Sequence, residues 1–265
     1  MYVGIDVGGR EGKNTEIALL QGEDPHPTLV AIHDVPPRGD DFIVNFLSER
    51  KDVIRAVGVD SPFDLPPCTR CKHKECSGLE LCSSDEARMI TNSGGNPYAE
   101  RLTEIYVSES MEEVRPMQTM ALGQIVARTM YLLKRLKSEG FPSSNIREVY
   151  PKASLFAFRR VLGMSPEDFN GAVKEYKTKD RGREARSSII DSLSSIIDFS
   201  SFREECEECH DKLDAAIAGL SVFYSTRDLT LPRPDELPEE AGWIEIPDWK
   251  RIVVPFRIIR FGKRL

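Results

Sequence analysis

Nowhere in the 265 residues is there an unbroken run of about twenty apolar side chains, which excludes a bilayer-spanning helix on sequence grounds. The longest apolar stretch, Met117 to Leu133, is interrupted by Gln118, Gln124 and Arg128 and suits a packed amphipathic helix. No basic leader or small-residue cleavage site precedes Met1-Tyr2-Val3, which runs straight into a strand pattern. The expected location is therefore cytoplasmic, with no membrane partner. In that compartment the six cysteines are expected as thiols or metal ligands rather than disulfides. Internal repeats and low-complexity linkers are missing too. With 40% hydrophobic residues to fill a core, 1–265 is expected to form one domain. An excess of positive charge is also missing. The net charge of −7 weighs against a nucleic-acid partner, because Lys and Arg drive phosphate binding. The basic residues are grouped, however. Six stand against three acids from Lys174 to Arg186, and six against one acid from Asp248 to Leu265. Either group can be a phosphate-binding patch or a solvated face.

What the chain does have is a series of short alternating segments. Residues 2–8, 15–21, 28–35, 54–60 and 146–150 read as strands, and Pro62 and Pro151 stop the last two. Asp40-Asp41 opens a short helical pattern through Phe46 and Leu47, and longer ones cover Gln118 to Glu139, 153–163, 166–177, 183–198 and 209–225. Gly140 and Pro142 close the first of the longer ones. Three consecutive strands favour an antiparallel meander, and each later strand arrives through a helical crossover, which favours parallel pairing. The expected fold is an α/β, RNase H-like mixed five-stranded sheet flanked by helices. A Cys-rich insertion occupies 66–83, and a β-rich basic tail occupies 243–265.

Gly4-Ile5-Asp6 and Gly58-Val59-Asp60 close two strands predicted to be parallel neighbours. Period-two alternation puts each glycine on the same face as its aspartate. The two carboxylates are then side by side at the carboxyl end of the sheet, where α/β sites form. Adjacent buried anions repel unless a cation neutralises them, and hard cations such as Mg²⁺ or Mn²⁺ take carboxylate oxygens. Asp211 and Asp214, three apart on a late helix, face one way, and small residues beyond them allow close approach to the sheet. Each acid alone can equally cap a turn or a helix. Together, Asp6, Asp60, Asp211 and Asp214 are candidate catalytic ligands for two divalent ions. Glu148, at the end of the fifth strand, is a weaker catalytic candidate or a rim carboxylate.

The segments Gly-Ile-Asp-Val-Gly-Gly, Val-Gly-Val-Asp-Ser-Pro, Glu-Val-Tyr-Pro, His-Asp-Lys-Leu-Asp-Ala and Gly-Trp-Ile occur in this order along nearly the whole chain. They resemble domain-of-unknown-function family 429, described as predicted nucleases of the RNase H fold. The Asp-x-x-Asp-Ala helix is also similar to that of RuvC-type Holliday-junction resolvases, in which both acids bind metal. The resemblance implies a metal-dependent nuclease acting on DNA or RNA, with Asp6, Asp60, Asp211 and Asp214 as ligands. Glu148, Arg101 and Glu104 match family motifs without an assigned role.

Cys68, Cys71, Cys76 and Cys82 lie within fifteen residues, a spacing suited to a four-thiolate zinc site, with an iron–sulfur cluster as the alternative. Cys206-x-x-Cys209 reads as a redox pair, a contribution to the metal site, or a coincidence of helix start. Of the four histidines, His26 and His33 belong to no constellation. His73 sits among the cysteines, and His210 adjoins the candidate ligands. Two other classes remain. The Gly-x-Asp-x-Gly-Gly opening also suits an actin-like phosphotransferase, but no second phosphate turn follows. A non-catalytic, metal-stapled binding module is the other.

Overall fold

Alternation of side chains sorts the strands onto two faces of one sheet. The computed structural model describes residues 1–9, 14–22, 26–76, 78–115 and 119–253. The strands are β1 (Tyr2–Asp6), β2 (Glu16–Gln21), β3 (Thr28–Asp34), β4 (Ala56–Asp60), β5 (Ile146–Val149) and β6 (Ile244–Glu245), in the order β3-β2-β1-β4-β5-β6. β1–β2 and β2–β3 are antiparallel, whereas β1–β4, β4–β5 and β5–β6 are parallel. The expected meander and parallel pair are present, but the sheet has six strands rather than five. β6 is two residues long and shows no periodicity to read. It is the one strand in the described part of the tail. Residues 254–265, with Arg257, Arg260, Lys263 and Arg264, lie outside the described residues.

Val3, Ile5, Val57 and Val59 point to one face and pack on α1 (Asp40–Ser48) through Ile43, Val44 and Leu47. The other face carries Tyr2, Ala18, Leu20, Ala56 and Val149. Between β4 and β5 come three helices, α2 (Pro67–Arg70), α3 (Asp85–Asn92) and α4 (Leu102–Ser110), followed by α5 (Gly123–Ser138). α3 and α4 were not legible in the sequence. They share a small core of their own, with Ile90, Leu102 and Ile105 meeting Leu237 and Ala241. Gln118, the expected helix start, lies outside the described residues; Thr119–Leu122 form a 3-10 turn, and the chain is α-helical from Gly123. α5 adds Leu132 and Leu136 to the α1 face.

The helices α6 (Pro151–Val161), α7 (Pro166–Glu175), α8 (Gly182–Leu193), α9 (Arg203–Glu208) and α10 (His210–Ser225) follow β5. Ala153, Phe156, Ile189 and Ile190 join the second face. α10 lies directly on β1 and β4, with Leu213 through Tyr224 all buried. A Cβ on Gly58 would stand 2.5 Å from the Ala218 carbonyl oxygen, and one on Gly4 would overlap the Ala215 carbonyl and the Gly219 amide. Those opposing atoms are helix backbone, so neither can move aside as a side chain would. Among the described residues no helix is long and apolar enough to cross a membrane.

Gly4→Ala and Gly58→Ala are therefore expected to destabilise the protein at or beyond the upper end of the about 1–3 kcal/mol typical of overpacking. The same change at exposed Gly171, where an added Cβ meets nothing within 4 Å, is the control. Equal denaturation midpoints for all three variants would contradict the close approach.

Candidate active site

Asp6 and Asp60 are direct register partners on the parallel pair β1–β4. The row extends across the meander, since Glu16 pairs with Asp6 and Asp34 pairs with Glu16. Four adjacent strands thus carry an acid at one level of the sheet. Because α10 sits on the glycines beneath, its first turn arrives beside this row. Asp6, Asp60 and Asp211 line one cavity of about 340 Å³, together with the Gly8-Gly9 turn, Ser61, Tyr150 and Lys177. Arg128 of α5 secures the glycine turn, with Nη1 donating to the Gly8 carbonyl at 2.9 Å while another nitrogen pairs with Asp40 at 2.7 Å.

Asp214 is fully buried one helical turn further on. The Tyr176 hydroxyl donates to its Oδ1 at 3.0 Å, and Lys177 Nζ stands 2.6 Å from Oδ2. Asp211 is held by His210, whose Nδ1 is 2.8 Å from Oδ1. Four carboxylates therefore face each other across a small volume, and Lys177 is the lysine or arginine placed among them. The electrostatic consequence follows directly. Burial, then Asp60, Asp214 and Asp211, raise the Asp6 carboxyl well above its ordinary value. Burial, then Asp214, push Asp60 up to about 8 against the pull of Lys177. Asp214 is raised by burial, with Lys177 and Tyr176 opposing. Asp211 goes the other way: burial is outweighed by hydrogen bonds with His210 and Asp6, and its carboxyl is lowered. The group titrates as one cluster.

Glu148 is not among them. β5 register pairs Val149, not Glu148, with Asp60, so alternation turns Glu148 to the opposite face. There Arg101 is buried and forks onto it, Nη1 to Oε2 at 2.9 Å and Nη2 to Oε1 at 2.5 Å. Arg101 also binds Glu104 Oε1 through Nε at 3.1 Å, and Thr119 donates to the same oxygen. The Phe63 amide donates to Glu148 Oε2 at 2.9 Å. Bidentate, buried and fully partnered, Glu148 anchors α4 and the loop after β4 to the sheet. It acts on the site only through its field, which adds to the rise at Asp60. Glu148 is thus engaged by Arg101 and the Phe63 amide and is not among the side chains that line the carboxylate cavity.

The cysteines separate into two groups. Cys206 is buried, and burial pushes its thiol up to about 12, as suits a core residue; Cys209 precedes α10 and is half-buried. Cys68 and Cys82 are half-buried, and Cys71 and Cys76 are exposed; all four are free thiols. The Cys68 thiol is raised by burial and then by Cys82, Cys71 and Cys76, so the three others lie near enough to act on it. Among the described residues, no group of three or more His, Cys, Asp or Glu is gathered closely enough to hold a metal ion as it stands. At the carboxylate cavity Lys177 occupies one side of Asp214, the part a divalent ion would take. The donor set nevertheless fits such an ion: it consists of hard carboxylate oxygens, excess negative, and crowded enough to retain protons.

Sequence reasoning missed Tyr176, Lys177 and Glu16. Tyr176 and Lys177 follow α7 and meet Asp214 across 37 to 38 positions, a separation no local pattern encodes. Glu16 had a signal, since it begins the strand antiparallel to β1. Searches against family models, characterised proteins and solved structures found no match to this chain.

A carboxyl raised in the folded protein stabilises it fully below the unfolded value and loses that contribution as pH rises through the folded value. The raised acids here, Asp6, Asp60 and Asp214, place that loss between about pH 4 and 8. Protein freed of metal by EDTA should have a lower urea midpoint at pH 8.5 than at 5.5. Asp60→Asn should flatten the slope in part, with the remainder from Asp6, Asp214 and Glu16, the last itself pushed to about 8 by burial and Asp34. A midpoint that rises over this interval would refute the crowding.

Proposed function

We propose that the protein is a metal-dependent nuclease with an RNase H-like fold, hydrolysing phosphodiesters at the cavity between β1, β4 and α10. One observation carries the reading: Asp6 and Asp60 are register partners on adjacent parallel strands, and Asp211 joins them in one cavity. The strand order and the Asp-x-x-Asp helix support it, as does the resemblance of the motifs to the predicted nucleases of family 429 and to RuvC-type resolvases.

Asp6, Asp60 and Asp211 would hold Mg²⁺ or Mn²⁺, with Asp214 as a further ligand once released from Lys177. Such ions, when bound, supply an activated water and neutralise charge on the phosphate and the leaving oxygen. The chain's own groups do the rest. The Gly8-Gly9 turn brings backbone, with no side chain in the way, to the cavity wall. The Lys177 ammonium, half-exposed at the cavity and tied to Asp214, can swing to a phosphate oxygen. Tyr176 keeps a hydrogen bond on Asp214 Oδ1 when the lysine leaves.

We also propose that Cys68, Cys71, Cys76 and Cys82 hold one structural zinc, closing the otherwise polar insertion. Four thiols in one loop suit a soft, closed tetrahedral site, and the influence of three of them on Cys68 supports it. Protein purified without chelator should contain about one zinc per chain, lost in Cys68→Ser. A visible chromophore with iron would assign the cluster alternative, and no metal at all would end the proposal.

The functional test is a cleavage panel of labelled single-stranded, duplex, hybrid and four-way-junction substrates with Mg²⁺ or Mn²⁺. Asp6→Asn should reduce cleavage at least a hundredfold while leaving the fold intact. Mg²⁺ should raise the melting temperature of the wild type, more at pH 8 than at pH 6, because ligands must lose their protons. Asp6→Asn should respond much less. Equal shifts in both proteins would refute the metal site, and stabilisation by ATP without cleavage would favour the phosphotransferase.

A further inference from the structure

Tyr150 belongs to two cavities. One is the carboxylate cavity; the other, of about 370 Å³, has the opposite electrostatic character. Arg115, Lys152 and Lys174 line it, and Val114 and Phe156 supply apolar wall. Its single acid, Glu113, is already neutralised twice, by Arg159 at 2.7 Å and Arg160 at 2.8 Å. Among the described residues, no ion pair or hydrogen bond engages the side chains of Arg115, Lys152 or Lys174. Three uncommitted cations around a cavity repel one another, and an anion relieves that.

The backbone adds to this charge. Tyr150 is the N-cap of α6, Pro151 opens the helix and Lys152 is in its first turn, with no side-chain cap. The positive end of an eleven-residue helix thus opens beside the three cations. The tyrosine between the cavities keeps its proton, because burial and then Asp60 push its hydroxyl up to about 12. It presents a neutral hydroxyl and a ring where the acidic and basic walls meet.

We propose that this second cavity is a phosphate subsite, holding a phosphate of the same strand whose neighbouring phosphodiester lies in the carboxylate cavity. Recognition of phosphate rests on the three cations and the helix end alone; assignment to a strand rests on the nuclease reading. A small phosphorylated compound would fill one cavity and leave the other without a partner. A polyanion with repeating charge satisfies both, one phosphate against metal-loaded carboxylates and the next against Arg115, Lys152 and Lys174. Tyr150 is then positioned to contact the sugar or base between them.

The test is binding, measured apart from cleavage. Fluorescence anisotropy with a labelled single-stranded oligonucleotide is run on the full chain carrying Asp6→Asn, in Mg²⁺ across a salt series. Adding R115Q, K152Q and K174Q together should weaken binding tenfold or more. It should also make the log affinity against log salt shallower by about 0.7, the contribution of one single-strand phosphate. K174R should restore part of the loss, and K51Q, on an exposed turn, should change nothing. Melting temperatures of all variants establish that they fold. Unchanged affinity and slope in the triple variant, with inorganic phosphate affecting parent and triple variant alike, would overturn the subsite. If inorganic phosphate stabilises the parent but not the triple variant while oligonucleotide affinity is unaffected, the strand assignment is overturned. A loss of binding in the triple variant alongside a negative cleavage panel would leave the subsite standing and remove only the hydrolytic chemistry.

Discussion

Side chains on a helix and on a sheet normally interpose themselves between the two backbones. Where α10 crosses β1 and β4 they do not, because Gly4 and Gly58 face Ala215, Ala218 and Gly219. Each glycine is two residues before an aspartate on the same face of its strand, so the residues that admit the helix also register it against the carboxylates. Had either position carried even an alanine, the helix would stand off, and Asp211 and Asp214 with it. The cavity, the coupling of four carboxyl groups and the burial of Asp214 all follow from this one contact.

Such crowding is costly, and the structure shows how it is tolerated. Burial and mutual repulsion raise the Asp6 and Asp60 carboxyls, Asp214 takes a hydrogen bond from Tyr176 and a charge from Lys177, and Asp211 leans on His210. None of these devices removes the strain; each substitutes for a cation. The Arg101–Glu104–Glu148 group on the opposite face makes the contrast plain. It is equally buried, yet every carboxylate oxygen of Glu148 meets a guanidinium or an amide. One acidic group is finished by the fold, the other is left for something else to complete. Marginal stability concentrated at one place is the usual mark of a site held for function rather than for folding.

How much of this was legible depends on range. The two Gly-x-Asp strands, their parallel pairing and the acid-bearing face of α10 could be read directly, because alternation and the helical repeat are local rules. The face of Glu148 was not read, although the same rule governs it. Its motif ends a strand as Asp60 does, but the partner in register is Val149, and one residue reverses the face. β6, at two residues, has no period to detect. α3 and α4 are short and packed on residues from 237 to 241, so their stability is tertiary, not local. Lys177 reaches Asp214 only because α7 and α8 fold over α10, which no window of sequence contains.

The net charge of −7 weighs against a nucleic-acid partner, but the charge is unevenly placed in the structure. Fields decay within about 10 Å at moderate salt, so what a phosphate meets is the local arrangement. Four of the acids stand in one row that runs from Asp34 through Glu16 and Asp6 to Asp60, where bound cations would cancel or invert its sign. The basic run from Lys174 to Arg186 is likewise not one patch. Arg181 and Arg183 pair with Glu175 and Glu208, and Arg186 is spent on the carbonyls of Tyr176, Glu207 and Glu208. Of the three lysines that remain, two divide at the end of α7, with Lys174 facing the basic cavity and Lys177 the acidic one. Two lysines three positions apart thus set cations on either side of Tyr150, and the local alternation of sign that results is what a strand of phosphates running past a metal site would need.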